Sequence, residues 1–250
     1  MKWRGKVYSY IADAINKGEK LHFTLVDPEK IRDLDQLRST LKQLVDAGTD
    51  AIMIGGSLQV YLDEVTAIAK VIEELGKPSI IFPGSVAMVS PYADAILFIS
   101  LLNSENPYHI IGAQVIAAPI IKKYGLEVLP TGYIVVGSLN TSVSFMGRAR
   151  PVPRNKPAIA AAHALAAKYM GMKFVYLEAG SGAKKCVPPQ MVALVKKAVE
   201  ETFVIVGGGI RDPEKAVALT NAGADIIVTG TIVEKDINKA VAIVSKIKHR

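Results

Sequence analysis

Eight short apolar runs rich in β-branched residues recur along the chain, and each ends on or is followed by Gly, Ser, Asp or Pro. They are LHFTLVD (21–27), AIMIGG (51–56), SIIF (79–82), AILFIS (95–100), LPTGYIVVG (129–137), FVYLEAG (174–180), FVIVGGG (203–209) and DIIVTGT (225–231). Continuous Val/Ile/Leu runs, without polar alternation, suit strands covered on both faces, as in a parallel sheet. Parallel strands need crossovers, and helical stretches stand between most of these runs: 31–48, 57–76, 106–125, 157–171, 188–201, 212–223 and 233–248. Gly48 and Gly76 are C-terminal stops, and Asp212 followed by Pro213 is an N-cap with proline at the first helical position. Between the third and fourth runs lies only PGSVAMVSPYAD (83–94), whose two prolines make a full third helix doubtful.

Repeated βα units of this kind predict an α/β fold, a single (β/α)8 TIM-type barrel over residues 1–250 with an extra N-terminal helix near 5–18. The competing doubly wound open sheet wants G-x-G-x-x-G after its first strand, where this chain reads LVDPEK. The longest irregular stretch, SLNTSVSFMGRARPVPRNKP (138–157), carries Arg148, Arg150 and Arg154 and is a candidate lid or binding loop.

With 250 residues, half of them hydrophobic, the chain can bury one large core. Its formal charge of +7 fits an anionic ligand, but Lys and Arg are scattered and aromatics are few, so no nucleic-acid partner is expected. A single cysteine, Cys186, rules out an intrachain disulfide. The N-terminal stretch is mixed and amphipathic, and no apolar run approaches the about 18 residues of a membrane span, so a soluble cytoplasmic protein is expected. His22, His109, His163 and His249 show no zinc spacing, and neither a G-x-S-x-G elbow nor a Walker A loop occurs.

In such barrels the chemistry sits at the C-terminal ends of the strands. Those ends carry Asp27, Ser57, the Glu178–Gly182 turn, Gly207–Gly209 and Gly230–Thr231. The turns after strands seven and eight are the usual phosphate site, where glycine lets backbone N–H groups approach an anion. Plain tight turns use glycine too. Asp27 is either a cap for the following helix or an oxygen ligand for Mg²⁺, which takes few protein ligands beside substrate phosphates. Ser57 is either a second oxygen or a helix cap. Glu178 is either a structural carboxylate paired with His22 or Lys173, or a base close to a phosphate site. Tyr176 shares its face by strand periodicity and either bonds substrate or fills the barrel.

FTLVDPEK, IMIGGS, YLEAGSGA, VGGGIR and VTGT, in this order at strand ends, closely resemble the geranylgeranylglyceryl phosphate synthase family, which includes the heptaprenylglyceryl phosphate synthases. The resemblance covers essentially the whole chain, and LLNSENPYHIIGAQ (101–114) is similar to the longer-chain group rather than the shorter bacterial type. It implies a (β/α)8 prenyltransferase joining geranylgeranyl diphosphate to the C3 hydroxyl of sn-glycerol 1-phosphate, with Mg²⁺ as cofactor. By motif, Asp27 and Ser57 would carry the Mg²⁺. Tyr176, Leu177, Glu178, Ala179, Gly180, Ser181 and Gly182, two of Gly207, Gly208 and Gly209, and Gly230 with Thr231 would hold glycerol phosphate. Glu178 would be the catalytic base, with Tyr176 beside it. Leu58, Tyr61, Pro83, Val86, Phe98 and Leu101 are candidates for an apolar prenyl groove, or ordinary core. A homo-oligomer is expected, the alanine-rich helix 158–167 and IIGAQVIAAPII being interface or core, as is peripheral membrane contact for product release. The competing readings are an isomerase or aldolase-like barrel for phosphorylated sugars, with a catalytic lysine or paired carboxylates inside, and a non-catalytic prenyl- or phospholipid-binding barrel.

Overall fold

The computed structural model describes residues 2–56 and 60–249. Strands β1 (Leu21–Val26), β2 (Ala51–Ile54), β3 (Ser79–Ile81), β4 (Ala95–Leu101), β5 (Glu127–Val135), β6 (Phe174–Glu178), β7 (Phe203–Gly207) and β8 (Ile226–Thr229) pair in chain order. All neighbours are parallel, and β8 pairs with β1, Leu21 opposite Ile226, so the sheet closes into a barrel. Because side chains alternate along a strand, each strand fills two compartments. Phe23, Met53, Ile80, Leu97, Tyr133, Tyr176, Ile205 and Val228 pack inside the barrel. Their neighbours, among them Leu177, Val204, Val206 and Ile227, face the helical layer.

The N-terminal helix α1 (Val7–Asn16) closes the bottom of the barrel, where Val7, Ile11 and Ala14 join the interior cluster. Its own N-cap residue, Lys6, makes no side-chain cap. Glu127, the first residue of β5, supplies one instead, accepting from the Val7 and Tyr8 N–H groups at 2.7 and 2.8 Å. A carboxylate there also complements the helix dipole. Buried acids secure the entrances of other strands. Asp50, Asp94 and Asp225 accept from the N–H groups of His22, Ser79 and Val204 at 2.9, 3.0 and 2.9 Å. Lys248 and Lys196 compensate Asp50 and Asp225, at 2.9 and 2.7 Å, as buried carboxylates require.

The outer layer holds α2 (Leu34–Asp46), α3 (Leu62–Glu74), α4 (Ala113–Tyr124), α6 (Pro157–Tyr169), α7 (Pro189–Val199), α8 (Pro213–Asn221) and α10 (Ile237–Lys248), while the short helices α5 (Ser142–Met146) and α9 (Thr231–Lys235) lie at the C-terminal rim. Several expected boundaries move. α2 starts after Asp33, whose carboxylate accepts from Asp35 N–H at 2.8 Å. α3 starts at Leu62, with Glu64 accepting from the Tyr61 N–H at 3.1 Å, and the expected start at 57 lies outside the described residues. The expected helix 106–125 is a π-helical turn, Tyr108–Gly112, running into α4. The expected last helix is broken at Asp236, which is extended and caps α10 through the Lys239 N–H at 3.1 Å. The stretch 138–157, expected to be irregular, contains α5, opened by the Thr141 hydroxyl accepting from Ser144 N–H.

The doubtful third helix is absent: a 3-10 turn, Val86–Met88, is the only helical element between β3 and β4. β3 packs against α3 and β4 against α4 and the π turn, and the space between α3 and α4, where a helix of its own would follow β3, holds only this 3-10 turn. That gap shapes the site.

Candidate active site

One cavity of about 430 Å³ opens at the C-terminal rim of the barrel, within the ~300–1,000 Å³ usual for small-molecule sites. One half is polar and lies against the turns after β6, β7 and β8. The other is an apolar trough running into the gap left by the missing helix. Pro83, Val86, Phe98 and Leu101 line it as anticipated, joined by Val89, Ile96, Ala117 and Ile121. Tyr61 is 63% exposed and outside the cavity, and Leu58 falls outside the described residues.

Glu178 ends β6 pointing into the cavity at 6% exposure. Burial pushes its carboxyl up from 4.5 to about 7. The Gly180 N–H donates to Oε1 at 2.5 Å, and the hydroxyls of Tyr176 and Tyr133 pull the value the other way by favouring the ionised form. The Tyr176 Oη is buried beside Glu178, near enough to favour its ionised form but without a hydrogen bond of good geometry, and it lines the cavity. Burial first, and then the neighbouring Glu178, hold both tyrosines above their ordinary value and keep them protonated. The structural reading of Glu178 fails on geometry. His22 faces the helical layer, its ring nitrogens 2.8 Å from Thr49 Oγ1 and Thr229 Oγ1, and burial lowers it to about 3. Lys173 is exposed, at the opposite end of β6.

Tyr133 escaped the sequence reading. It stands opposite Tyr176 in the β5–β6 register, their rings 5.0 Å apart, and Phe82 stacks on Tyr176 at 5.4 Å. Its signal was periodicity: β5 places residues 129, 131, 133 and 135 on one face, with a bulky phenol level with the catalytic candidate.

The expected phosphate turns divide. Ser181, Gly182, Gly208, Gly209, Gly230 and Thr231 line the cavity with Tyr176 and Glu178. Leu177 and Ala179 turn their side chains into the helical layer, so only their backbone lies near the site. Gly180 and Gly207 are absent from the lining, and Gly207 has a packing role: a Cβ there would stand 2.3 Å from Tyr176 Oη. Gly208 is at φ +80°, and a Cβ would meet Glu178 Oε1 at 2.3 Å and Gly180 N at 2.7 Å, so only glycine lets these two turns meet. Arg211 braces the turn after β6 by donating to the carbonyls of Gly182 and Ala183 at 2.8 and 3.0 Å.

Of the arginines in 138–157, Arg154 donates to the Cys186 carbonyl at 2.6 Å and Arg148 and Arg150 are exposed; none lines the cavity. The segment contributes Ser142, Val143, Met146 and Gly147 instead.

Asp27 lines the same cavity. The cap reading is contradicted: Asp27 precedes the 3-10 turn Pro28–Lys30, yet its side chain caps no N–H group. Oδ2 lies 3.2 Å from Lys30 Nζ, and Oδ1 is buried without a partner. Ser57, the other expected metal ligand, lies outside the described residues. Among the described residues no cluster of three His, Cys, Asp or Glu side chains is arranged to hold a metal alone. No described helix is long and apolar enough to cross a membrane.

A model of the PcrB family matches residues 14–248. The chain belongs to the PcrB family. It is 50% identical over 248 residues to the geranylgeranylglyceryl phosphate synthase of Sulfolobus acidocaldarius, covering 99% of this chain and 96% of that one. It is 52% identical over 244 residues to the synthase of Staphylothermus marinus, covering 98% and 99%. The crystal structure of (S)-3-O-geranylgeranylglyceryl phosphate synthase from Thermoplasma acidophilum, in complex with sn-glycerol-1-phosphate, superposes with a TM-score of 0.92 at 39% identity over 98% of this chain and 99% of that one. The five motifs at the strand ends therefore identify the family, and the PcrB chain described here is similar throughout its length to synthases of geranylgeranylglyceryl phosphate.

Proposed function

We propose that the protein is a prenyltransferase that joins geranylgeranyl diphosphate to the C3 hydroxyl of sn-glycerol 1-phosphate, giving geranylgeranylglyceryl phosphate and diphosphate. The observation that carries this reading is the position of Glu178, a buried carboxyl with a pKa near 7 where glycine-lined turns meet an apolar trough. Gly208 and Gly209, both cavity-lining and at positive φ, are the pair that present N–H groups to the phosphate, with Gly182 and Gly230 opposite. Ser181 and Thr231, whose hydroxyls stand 3.4 Å apart, add side-chain donors. The unsatisfied Tyr176 hydroxyl donates to the glyceryl moiety. The prenyl tail lies along Val86, Ile96, Phe98 and Ile121, which places its first carbon at the Asp27 end of the polar half.

Holding both substrates in one cavity makes the attack effectively intramolecular. The hydroxyl oxygen bonds to the first prenyl carbon, the carbon–oxygen bond to diphosphate breaks with its electron pair, and the hydroxyl proton passes to Glu178. A base with a pKa near working pH combines an available ionised form with a useful affinity for the proton. The residues fit a Mg²⁺ ion as well. Asp27 Oδ1 is a buried anionic oxygen without a partner, and a cavity edged by Asp27, Glu29, Glu178 and Glu234 repels a bare diphosphate. Asp27 would hold the ion, with Ser57 as the second ligand implied by motif. Mg²⁺ supplies neutralisation of the leaving diphosphate charge.

A Schiff-base aldolase needs a buried lysine, and among the described residues no lysine is buried. A passive lipid-binding barrel has no use for a carboxyl held at about 7. The exposed Ile111, Val115 and Ile116 on the π turn and α4 support self-association or contact with a membrane surface. The test is direct: labelled glycerol 1-phosphate, geranylgeranyl diphosphate and Mg²⁺ should give a labelled ether lipid with the wild type. Glu178→Gln should bind glycerol phosphate and form no product. No ether product from the wild type, or wild-type turnover by the variant, overturns the reading.

A further inference from the structure

The protein's net charge is +7, yet among the described residues its cavity is edged by four carboxylates, Asp27, Glu29, Glu178 and Glu234, and only two permanent cations, Lys30 and Arg211. The proposed reaction brings in two polyanions. Arg211 is committed to the turn after β6, through the Gly182 and Ala183 carbonyls, on the glycerol phosphate side. Lys30 is the cation at the other end, beside Asp27. Its Nζ lies 2.9 Å from both oxygens of Glu234 and 3.2 Å from Asp27 Oδ2.

We propose that Lys30 receives the diphosphate of the prenyl substrate, exchanging Glu234 and Asp27 for phosphate oxygens, an assignment that rests on the prenyltransferase reading above. The geometry allows the exchange. The Lys30 side chain is 45% exposed and carries three donors on a flexible stem. A half-exposed ion pair is weak, and a diphosphate offers the ammonium more charge than either carboxylate. Glu234 is the parking partner. It belongs to α9, directly after Gly230 and Thr231 of the phosphate turn. The Lys30–Glu234 pair therefore joins the β1 end to the β8 end, and arrival of the diphosphate releases that tie. The competing role is a static latch, in which Lys30 and Glu234 serve only to hold the two loops together.

The two roles predict different behaviour in Lys30→Met and Glu234→Gln. KM for each substrate and kcat are measured with the other substrate saturating. Binding of inorganic diphosphate with Mg²⁺ is followed by calorimetry, independently of turnover. Loss of a charge-assisted contact predicts that Lys30→Met raises KM for geranylgeranyl diphosphate and Kd for inorganic diphosphate by about 10- to 100-fold. KM for glycerol 1-phosphate should stay within about twofold, below the roughly 1.4 kcal/mol that marks a tenfold change. Glu234→Gln frees the ammonium, so it should leave both diphosphate constants unchanged or tighten them. If both variants weaken diphosphate to the same degree, or Lys30→Met acts on glycerol 1-phosphate or on neither substrate, the proposal is overturned. A wild type that makes no ether product refutes the prenyltransferase reading instead, and the diphosphate calorimetry still reports on Lys30.

Discussion

Glu178→Gln should stabilise the protein at alkaline pH while abolishing turnover. In the folded chain the carboxyl is raised from 4.5 to about 7, with burial as the main cause. Below pH 4.5 it is neutral in both folded and unfolded chains, and the shift has no effect. Between 4.5 and 7 the unfolded chain ionises and the folded chain does not, so stability falls as pH rises. Above 7 the full penalty is present, about 3 kcal/mol at roughly 1.4 kcal/mol per unit. Glutamine never ionises, and its carbonyl oxygen can still accept from the Gly180 N–H. The assay is urea unfolding of wild type and variant at pH 4, 6 and 8, both without ligand. Near-equal stability at pH 4 and a variant more stable by about 2–3 kcal/mol at pH 8 are expected. A stability difference that does not change with pH would refute the claim that an ionised, poorly solvated carboxylate sits at the end of β6.

Wild-type kcat/KM should rise with pH through a midpoint at about 7, and Tyr133→Phe, which removes a hydroxyl favouring ionised Glu178, should move that midpoint upward; a wild-type midpoint near 4.5, or one unmoved in the variant, sinks the assignment. Asp27→Asn should fold normally but need at least about tenfold more Mg²⁺ for half-maximal rate, and superimposable Mg²⁺ titrations would show that Asp27 holds no metal. Glu127→Ala removes the acceptor for two N–H groups of α1 and should cost about 1–2 kcal/mol of stability in urea, with the site unaffected once the protein is folded; unchanged stability means that α1 needs no cap from β5.

The barrel was legible because its signals are local. Eight apolar runs map onto eight strands, since a strand covered on both faces has no polar position to disguise it. The helix ends were less legible, because their caps come from outside the helical pattern. Asp33 lies inside the stretch expected to be helical, and Asp236 sits within what reads as one continuous helix. The cap on α1 lies 120 residues away, at Glu127, where no reading of the N-terminal segment alone could place it.

The site divides by the same rule. Asp27, Glu178 and Gly208 could be placed because each ends a strand, and strand ends are where a barrel gathers its chemistry. Tyr133 and Lys30 depend on closure: one needs the β5–β6 register, the other a pairing across 204 residues. Gly207 reads the same as Gly208 in the sequence, and only the tyrosine packed against it separates a packing glycine from one that lines the cavity. The trough depends on something missing. The two prolines of 83–94 predict that a helix fails, but that residues of this segment and of β4 then line a cavity follows only from the closed barrel. The proposed specificity for a long apolar tail thus arises where the barrel departs from its repeat, and the proposed chemistry where it keeps to it.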